Sequence, residues 1–166
     1  IIEKLKSQGQ KKTKNGTGVF VKGEAGVMVR MAKCCNPVPG DDIIGYITRG
    51  RGVSIHRCDC PSMGHSPEDL ERMIEVSWDG SSGESFHVGI DIQAYDRAGI
   101  LMEVMAVLSE LKITITNINA KVQEDTKNVS INLVVDIRDI SQLDFVMTKL
   151  RRIREVYTVQ RSKGGA

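Results

Sequence analysis

No stretch of this sequence approaches the roughly 20 consecutive apolar residues that a helix needs to cross a bilayer. Its opening residues, IIEKLKSQGQKKTKNGT, lack the apolar core and small-residue cleavage site of a secretory signal. The expectation is a cytoplasmic chain with no membrane partner. Aromatic residues are few, one Trp, three Tyr and three Phe, so base stacking has little to build on. Cysteine is absent from everything except residues 34–60, where Cys34, Cys35, Cys58 and Cys60 all fall. Methionine is absent from position 1, which suggests a longer protein with other activities upstream. With 40% hydrophobic and 27% charged residues the 166-residue chain is ordinary globular protein, which excludes wholesale disorder and collagen.

The net charge of +2 hides segregation. Lys4, Lys6, Lys11, Lys12 and Lys14 crowd the start, and Glu68, Asp69, Glu71, Glu75, Asp79 and Glu84 crowd the middle. Such runs read as solvated tails and linkers. Residues 1–17 are taken as a basic linker and 63–84 as an acidic one, although Met73, Ile74, Val76 and Trp78 suggest a short docking element.

Between them, residues 18–62 hold short apolar pieces broken by turn residues. Val27, Val29 and Met31 alternate, Ile43–Thr48 is a second β-rich run, and Val53–Ile55 a third. Asn36-Pro37-Val38-Pro39-Gly40-Asp41-Asp42 and Arg49-Gly50-Arg51-Gly52 supply tight turns. A unit this short buries little core, so a staple such as a metal ion would do much of the stabilising.

From Ser85 the periods are clear. Phe86, Val88, Ile90 and Ile92 alternate as a strand, and Ile100, Leu101, Val104, Met105, Leu108 and Leu111 recur at helical spacing. Ile113, Ile115 and Ile118 alternate again, followed by Val129, Ile131, Leu133 and Val135. Leu143, Val146, Met147 and Leu150 form a second helical stripe, and 153–159 closes as a strand. The order βαββαβ over residues 85–161 predicts a ferredoxin-like four-stranded antiparallel sheet with both helices on one face, leaving 162–166 as a tail. The fold class is α+β.

Cys34, Cys35, His56 and Cys60 offer three sulfurs and an imidazole, a donor set that suits zinc in a tetrahedron. In a cytosolic chain such a cluster binds metal more often than it forms disulfides. Reduced thiols packed as small hydrophobes, and disulfides, remain the competing readings. Adjacent cysteines chelate less comfortably than a spaced pair. Cys58, on the same strand face as His56 and Cys60 if the strand continues, could replace Cys34 or stay free. A catalytic ion is disfavoured, because Asp41, Asp42 and Asp59 sit in turn sequence.

Lys33, Arg49, Arg51 and Arg57 bracket the cysteines, and guanidinium forks suit phosphate oxygens. With only Tyr46 nearby as a stacking partner, the expected contact is with an RNA backbone and its shape. Solvated arginines on a hairpin tip are the plainer reading.

Met31-Ala32-Lys33-Cys34-Cys35-Asn36-Pro37-Val38-Pro39-Gly40-Asp41, then Gly45–Arg57, then Asp59-Cys60-Pro61, closely resemble the zinc-finger domain near the end of long RelA/SpoT proteins. The βαββαβ segment, opening with Asp96-Arg97-Ala98-Gly99-Ile100-Leu101, resembles the ACT domain that ends them. The resemblance covers roughly residues 19–161. It implies a parent that transfers pyrophosphate from ATP to GDP or GTP, making guanosine tetraphosphate and pentaphosphate, and that in many members also hydrolyses them in a manganese-dependent N-terminal domain. It implies for this segment a structural zinc at Cys34, Cys35, His56 and Cys60. It further implies contact with ribosomal RNA at a stalled ribosome carrying uncharged tRNA, and relay of that state to the N-terminal catalytic domains. Neither a His-Asp hydrolase pair nor a synthetase motif is found, so the expectation is a regulatory, non-catalytic module.

At Asp96-Arg97-Ala98-Gly99-Ile100 two readings stand. The Asp96 carboxylate can cap the helix that follows. Alternatively the exposed backbone groups can hold an amino acid, as similar ACT domains do between two copies; a branched-chain amino acid is the expected ligand. An amino-acid-binding metabolic regulator is therefore the rival function. The sheet face opposite the helices carries His87, Gly89, Asp91, Asn128, Ser130 and Asn132, too polar for a core, and edge-to-edge pairing into a homodimer is expected. His65 and His87 read as surface residues.

Overall fold

The computed structural model describes residues 18–23, 26–80 and 84–163. The basic linker read at 1–17 lies outside the described residues, as do residues 164–166 of the tail.

The first unit contains β1 (Val19–Val21), β2 (Val29–Met31), β3 (Ile43–Ile47), β4 (Val53–Arg57), α1 (Pro67–Glu71), β5 (Met73–Ile74) and β6 (Val76–Trp78). The alternating β-branched residues become strands because every second side chain can be buried. β3 and β4 form an antiparallel hairpin with Ile44 opposite His56, and β2 joins β4 in parallel. The acidic segment 63–84 is more than a linker. Ser66 and Asp69 form a capping box at the start of α1, β5 pairs with β3, and β6 pairs with β1. Its carboxylates at Glu68, Glu71 and Glu75 face water, while Val76 enters a core with Val19, Val21, Val29, Val53 and Ile55.

The second unit runs β7 (Phe86–Tyr95), α2 (Ile100–Glu110), β8 (Ile115–Gln123), β9 (Asn128–Ile137), α3 (Ile140–Arg151) and β10 (Val156–Arg161). Its sheet has the order β10-β7-β9-β8 with every neighbour antiparallel. This is the expected ferredoxin-like α+β plan. Val88, Ile90, Ile92 and Ala94 of β7 share a core with Val104 and Leu108 of α2 and with Leu143, Val146 and Leu150 of α3. On the other face polar side chains bond to one another across strands: Asn132 and Ser162 donate to Asp91, and Ser130 donates to Gln93.

The two units are joined through the turn at residues 36–41. Val38, fully buried, belongs to the core of the second unit, and the Ile140 backbone N–H donates to the Pro39 carbonyl at 2.8 Å. Gly40 adopts a φ of +101° against Ile140, whose Cγ2 occupies the space that a Cβ would need. The Trp78 indole N–H donates to the Asp41 carbonyl at 3.0 Å, and its ring meets Phe86 edge-on at 5.7 Å. Val38→Ala is expected to lower unfolding free energy by about 2 kcal/mol, the scale for truncating a buried aliphatic side chain. Met28→Ala, at a side chain 69% exposed, is expected to stay within about 0.5 kcal/mol, both read from urea midpoints.

Candidate metal centre

Two turns build the cluster. After β2 the chain closes a tight turn in which the Asn36 N–H donates to the Ala32 carbonyl, and Asn36 itself takes a left-handed φ of 43°. That turn brings both adjacent cysteines to one centre. His56 comes from β4, and Cys60 from the turn that ends it. The ligand atoms of Cys34, Cys35, His56 and Cys60 all lie within 4.8 Å of one another, a group that could hold a metal ion. Cys34 Sγ is 3.3 Å from His56 Nδ1, 3.5 Å from Cys60 Sγ and 4.0 Å from Cys35 Sγ, and Cys35 Sγ is 3.9 Å from Nδ1. A tetrahedral zinc site with its usual bond lengths has S–S edges of about 3.8 Å and S–N edges of about 3.6 Å. The four edges given lie near that figure, all six stay within 4.8 Å, and three soft sulfurs with one imidazole are zinc chemistry.

The supporting shell is also present. His56 Nε2 lies 3.1 Å from Ser54 Oγ; a proton held there leaves the Nδ1 lone pair facing the sulfurs. The Arg57 backbone N–H donates to Cys35 Sγ at 3.3 Å, a bond that suits a thiolate. Burial pushes the Cys35 thiol up to about 12 and, with the hydrogen bond and charge of Cys60 added, also raises Cys34. For Cys60 burial acts upward too, but bonds from the Ser62 backbone and from Cys34 and Cys35 outweigh it and leave the thiol lowered. Burial lowers His56, keeping the imidazole neutral and ready to ligate.

Cys58 is placed differently from the strand-face expectation. β4 ends at Arg57, the Cys60 N–H turns back to the Arg57 carbonyl, and Cys58 is exposed to solvent outside the cluster. Among the described residues the ligand group contains no carboxylate. Asp59 is engaged by Arg57 at 2.6 Å, and Asp41, far from being only a turn residue, is engaged by Arg161.

The four basic residues do not form one patch. Lys33 and Arg57 adjoin the cluster, but Arg57 is paired with Asp59. Arg49 and Arg51 stand exposed on the β3–β4 tip, where roughly 16 Å of extended chain separates Arg51 from His56. Neither has a side-chain partner among the described residues. Lys33 also lines a cleft of about 1050 Å³ between the units, with Asn117, Asn119, Asn132 and Lys163 from the other side.

At the second unit's turn, Asp96 does not cap α2. Gly99, with φ 81°, occupies the N-cap position and no side chain caps the helix, while Asp96 is exposed and its N–H donates to the Lys127 carbonyl. Ala98 is exposed and Ile100 is buried in the core. Arg97 turns back onto Glu103 and the Ala98 and Arg154 carbonyls. Arg97 Nε and Asn128 Oδ1 are buried without a hydrogen-bond partner among the described residues. That pair has no sequence signal, since it depends on strand register rather than on local residue type.

A small β unit with a closed Cys₃His cluster, followed by a ferredoxin-like regulatory domain, defines a class, and two family models match it in that order: the RelA/SpoT RIS domain at residues 19–79 and the ACT domain at 82–161. The chain belongs to the RelA/SpoT family. It is 33% identical over 153 residues to a GTP pyrophosphokinase of Haemophilus influenzae, covering 92% of this chain and 21% of that protein. A GTP pyrophosphokinase of Streptomyces coelicolor is 38% identical over 158 residues, covering 94% of this chain and 18% of its own length. The bifunctional (p)ppGpp synthase/hydrolase RelA of Mycobacterium tuberculosis is 37% identical over 149 residues, 90% of this chain and 20% of the relative. The chain thus spans about a fifth of these relatives. A solved ACT domain from the GTP pyrophosphokinase of Chlorobium tepidum is 28% identical, with a TM-score of 0.43, covering 47% of this chain and 99% of that one.

Because Cys34 and Cys35 hold their protons at neutral pH, a thiophilic divalent ion must displace them. Titration with zinc in weakly buffered solution at pH 7 is expected to release about two to three protons per ion. Affinity is expected to fall as pH is lowered, because protons then compete for the sulfurs, and competition with a chelator of known affinity checks the slope.

Proposed function

We propose that this chain is the regulatory C-terminal part of a (p)ppGpp synthetase or hydrolase, that it holds one structural zinc, and that it contacts ribosomal RNA at the stalled ribosome. In the parent it controls the N-terminal catalytic domains and performs no turnover itself. The observation that carries the reading is the joining of the closed cluster to the arginine tip by a single strand, β4. His56 would be fixed by the ion at one end, and Arg49 and Arg51, without side-chain partners among the described residues, sit at the other. With all four tetrahedral positions filled by protein, zinc there would knit the turns and hold the hairpin rigid, leaving no open position for substrate. Two guanidiniums on a rigid tip suit phosphate oxygens of a folded RNA. The cytoplasm, where ribosomes stand, follows as the site of action, and no helix among the described residues is long and apolar enough to cross a membrane.

An amino acid as ligand of Asp96, Arg97, Ala98, Gly99 and Ile100 is the second reading, supported by Arg97 Nε and Asn128 Oδ1 at that end of the sheet, which have no hydrogen-bond partner among the described residues. A homodimer would form along β8, which among the described residues pairs only with β9 and leaves its other edge open. Calorimetry with a panel of free amino acids separates this reading from the first.

Cosedimentation with purified ribosomes across a potassium chloride series tests the main reading. The double substitution Arg49→Ala, Arg51→Ala is expected to reduce the slope of log affinity against log salt by about 1.5, close to one for each phosphate that an arginine no longer neutralises. Equal slopes for the two chains, or no cosedimentation of the wild type, would contradict it.

A further inference from the structure

We propose that Arg161, on the last strand of the ACT domain, is a positioning residue of the metal centre in the RIS domain. Ion binding in one domain and docking of the other are then a single linked equilibrium. This coupling rests on the zinc reading above and extends it across the domain boundary.

Arg161 pairs in register with Ile90, whose side chain faces the helices, so its own side chain leaves the sheet on that side and reaches the turn at residues 36–41. Nη1 donates to both carboxylate oxygens of Asp41, at 3.0 and 3.1 Å, and Nη2 donates to Asp41 Oδ2 at 3.1 Å. Nη2 also donates to the carbonyls of Asn36 at 2.7 Å and of Cys35 at 3.4 Å. One guanidinium therefore holds the turn at its start and at its end. Asp41 adds a brace from inside, accepting the Val38 backbone N–H at 2.8 Å.

Cys35 is thereby fixed from two directions. Its sulfur accepts from the backbone of Arg57 beside His56, and its carbonyl is held by Arg161, which lies 126 residues away in sequence. The Arg161 and Asp41 side chains are 12% and 8% exposed, so water screens them little, and either alone would be an uncompensated buried charge. A lysine in place of Arg161 carries the same charge but has no planar fork with which to span the carboxylate and two carbonyls together.

Displacement of the turn far enough to spoil the tetrahedron would also pull the Cys35 and Asn36 carbonyls from the guanidinium, withdraw Val38 from the ACT core and break the Ile140 N–H bond to Pro39. Loss of the guanidinium would free the carbonyl side of Cys35 and widen the range of sulfur positions. Linkage makes the effect reciprocal: the factor by which ACT docking tightens the ion is the factor by which the ion tightens docking. Groups one shell out from a metal commonly change its affinity 10- to 100-fold.

Two measurements on the 166-residue chain test the coupling: zinc affinity by competition with a chromogenic chelator, and hydrogen exchange of the Ile140 amide with and without zinc. The wild type is expected to exchange Ile140 at least about tenfold more slowly when zinc-loaded, with the sheet amides of Val88 and Ile92 unchanged. Arg161→Ala is expected to weaken zinc about tenfold or more and to erase the zinc effect at Ile140. Arg161→Lys, which keeps the charge beside Asp41, should fall in the same direction and decides the matter if the alanine variant fails to fold. Lys22→Ala, which removes an exposed pair with Glu75 away from the turn, should match the wild type in both measurements. Wild-type zinc affinity in both Arg161 variants, or an Ile140 exchange rate indifferent to zinc, would overturn the coupling and leave the zinc site standing. A wild-type chain that takes up no zinc would overturn both.

Discussion

The convergence of three sulfurs and one imidazole nitrogen on a common centre sets the shape of the RIS domain. The core there is thin: among the described residues its main cluster has six buried residues, and a second small one is built around Cys35, Cys60, Ala32 and Met63. Burial on this scale stabilises weakly against the entropy of ordering the chain. An ion at the cluster would cross-link the turn after β2 to the end of β4 and remove that weakness at one point. The positions of the arginine tip and of the turn that reaches the ACT core both follow from those strands being held.

The ACT domain is stabilised differently. Its sheet is long, its core is continuous across both helices, and it needs no staple. It completes the RIS domain by accepting Val38 and by meeting Asp41 with Arg161. A pair so buried contributes specificity of docking more than net stability, because desolvation offsets much of the attraction. Much of the polar sheet face is satisfied by bonds across its own strands, Asn128 Oδ1 being an exception, so it can stand in water without a covering partner.

The periodicities of the ACT domain are plain in the sequence, since each strand and helix there is long enough to show its repeat. The residues of the Cys/His cluster are legible from residue type, but the geometry that brings them together is not. The ending of β4 at Arg57, which leaves Cys58 outside, is a one-residue event that alternation cannot foresee. β5 and β6 are only two and three residues long and sit among exposed carboxylates, so composition hides their pairing with β3 and β1. Asp41 reads as a turn residue because its partner is 120 residues away. Asp96 does not cap α2 because the helix begins at Ile100, which puts Gly99 at the N-cap position and Asp96 three residues before it.

Whether the cluster carries an ion is decided by elemental analysis of the purified chain. About one zinc per chain is expected in the wild type and close to none in a Cys35→Ser, His56→Ala variant. A wild-type chain that is folded and free of zinc, or a variant that retains the full complement, would show that something other than an ion holds the RIS turns together.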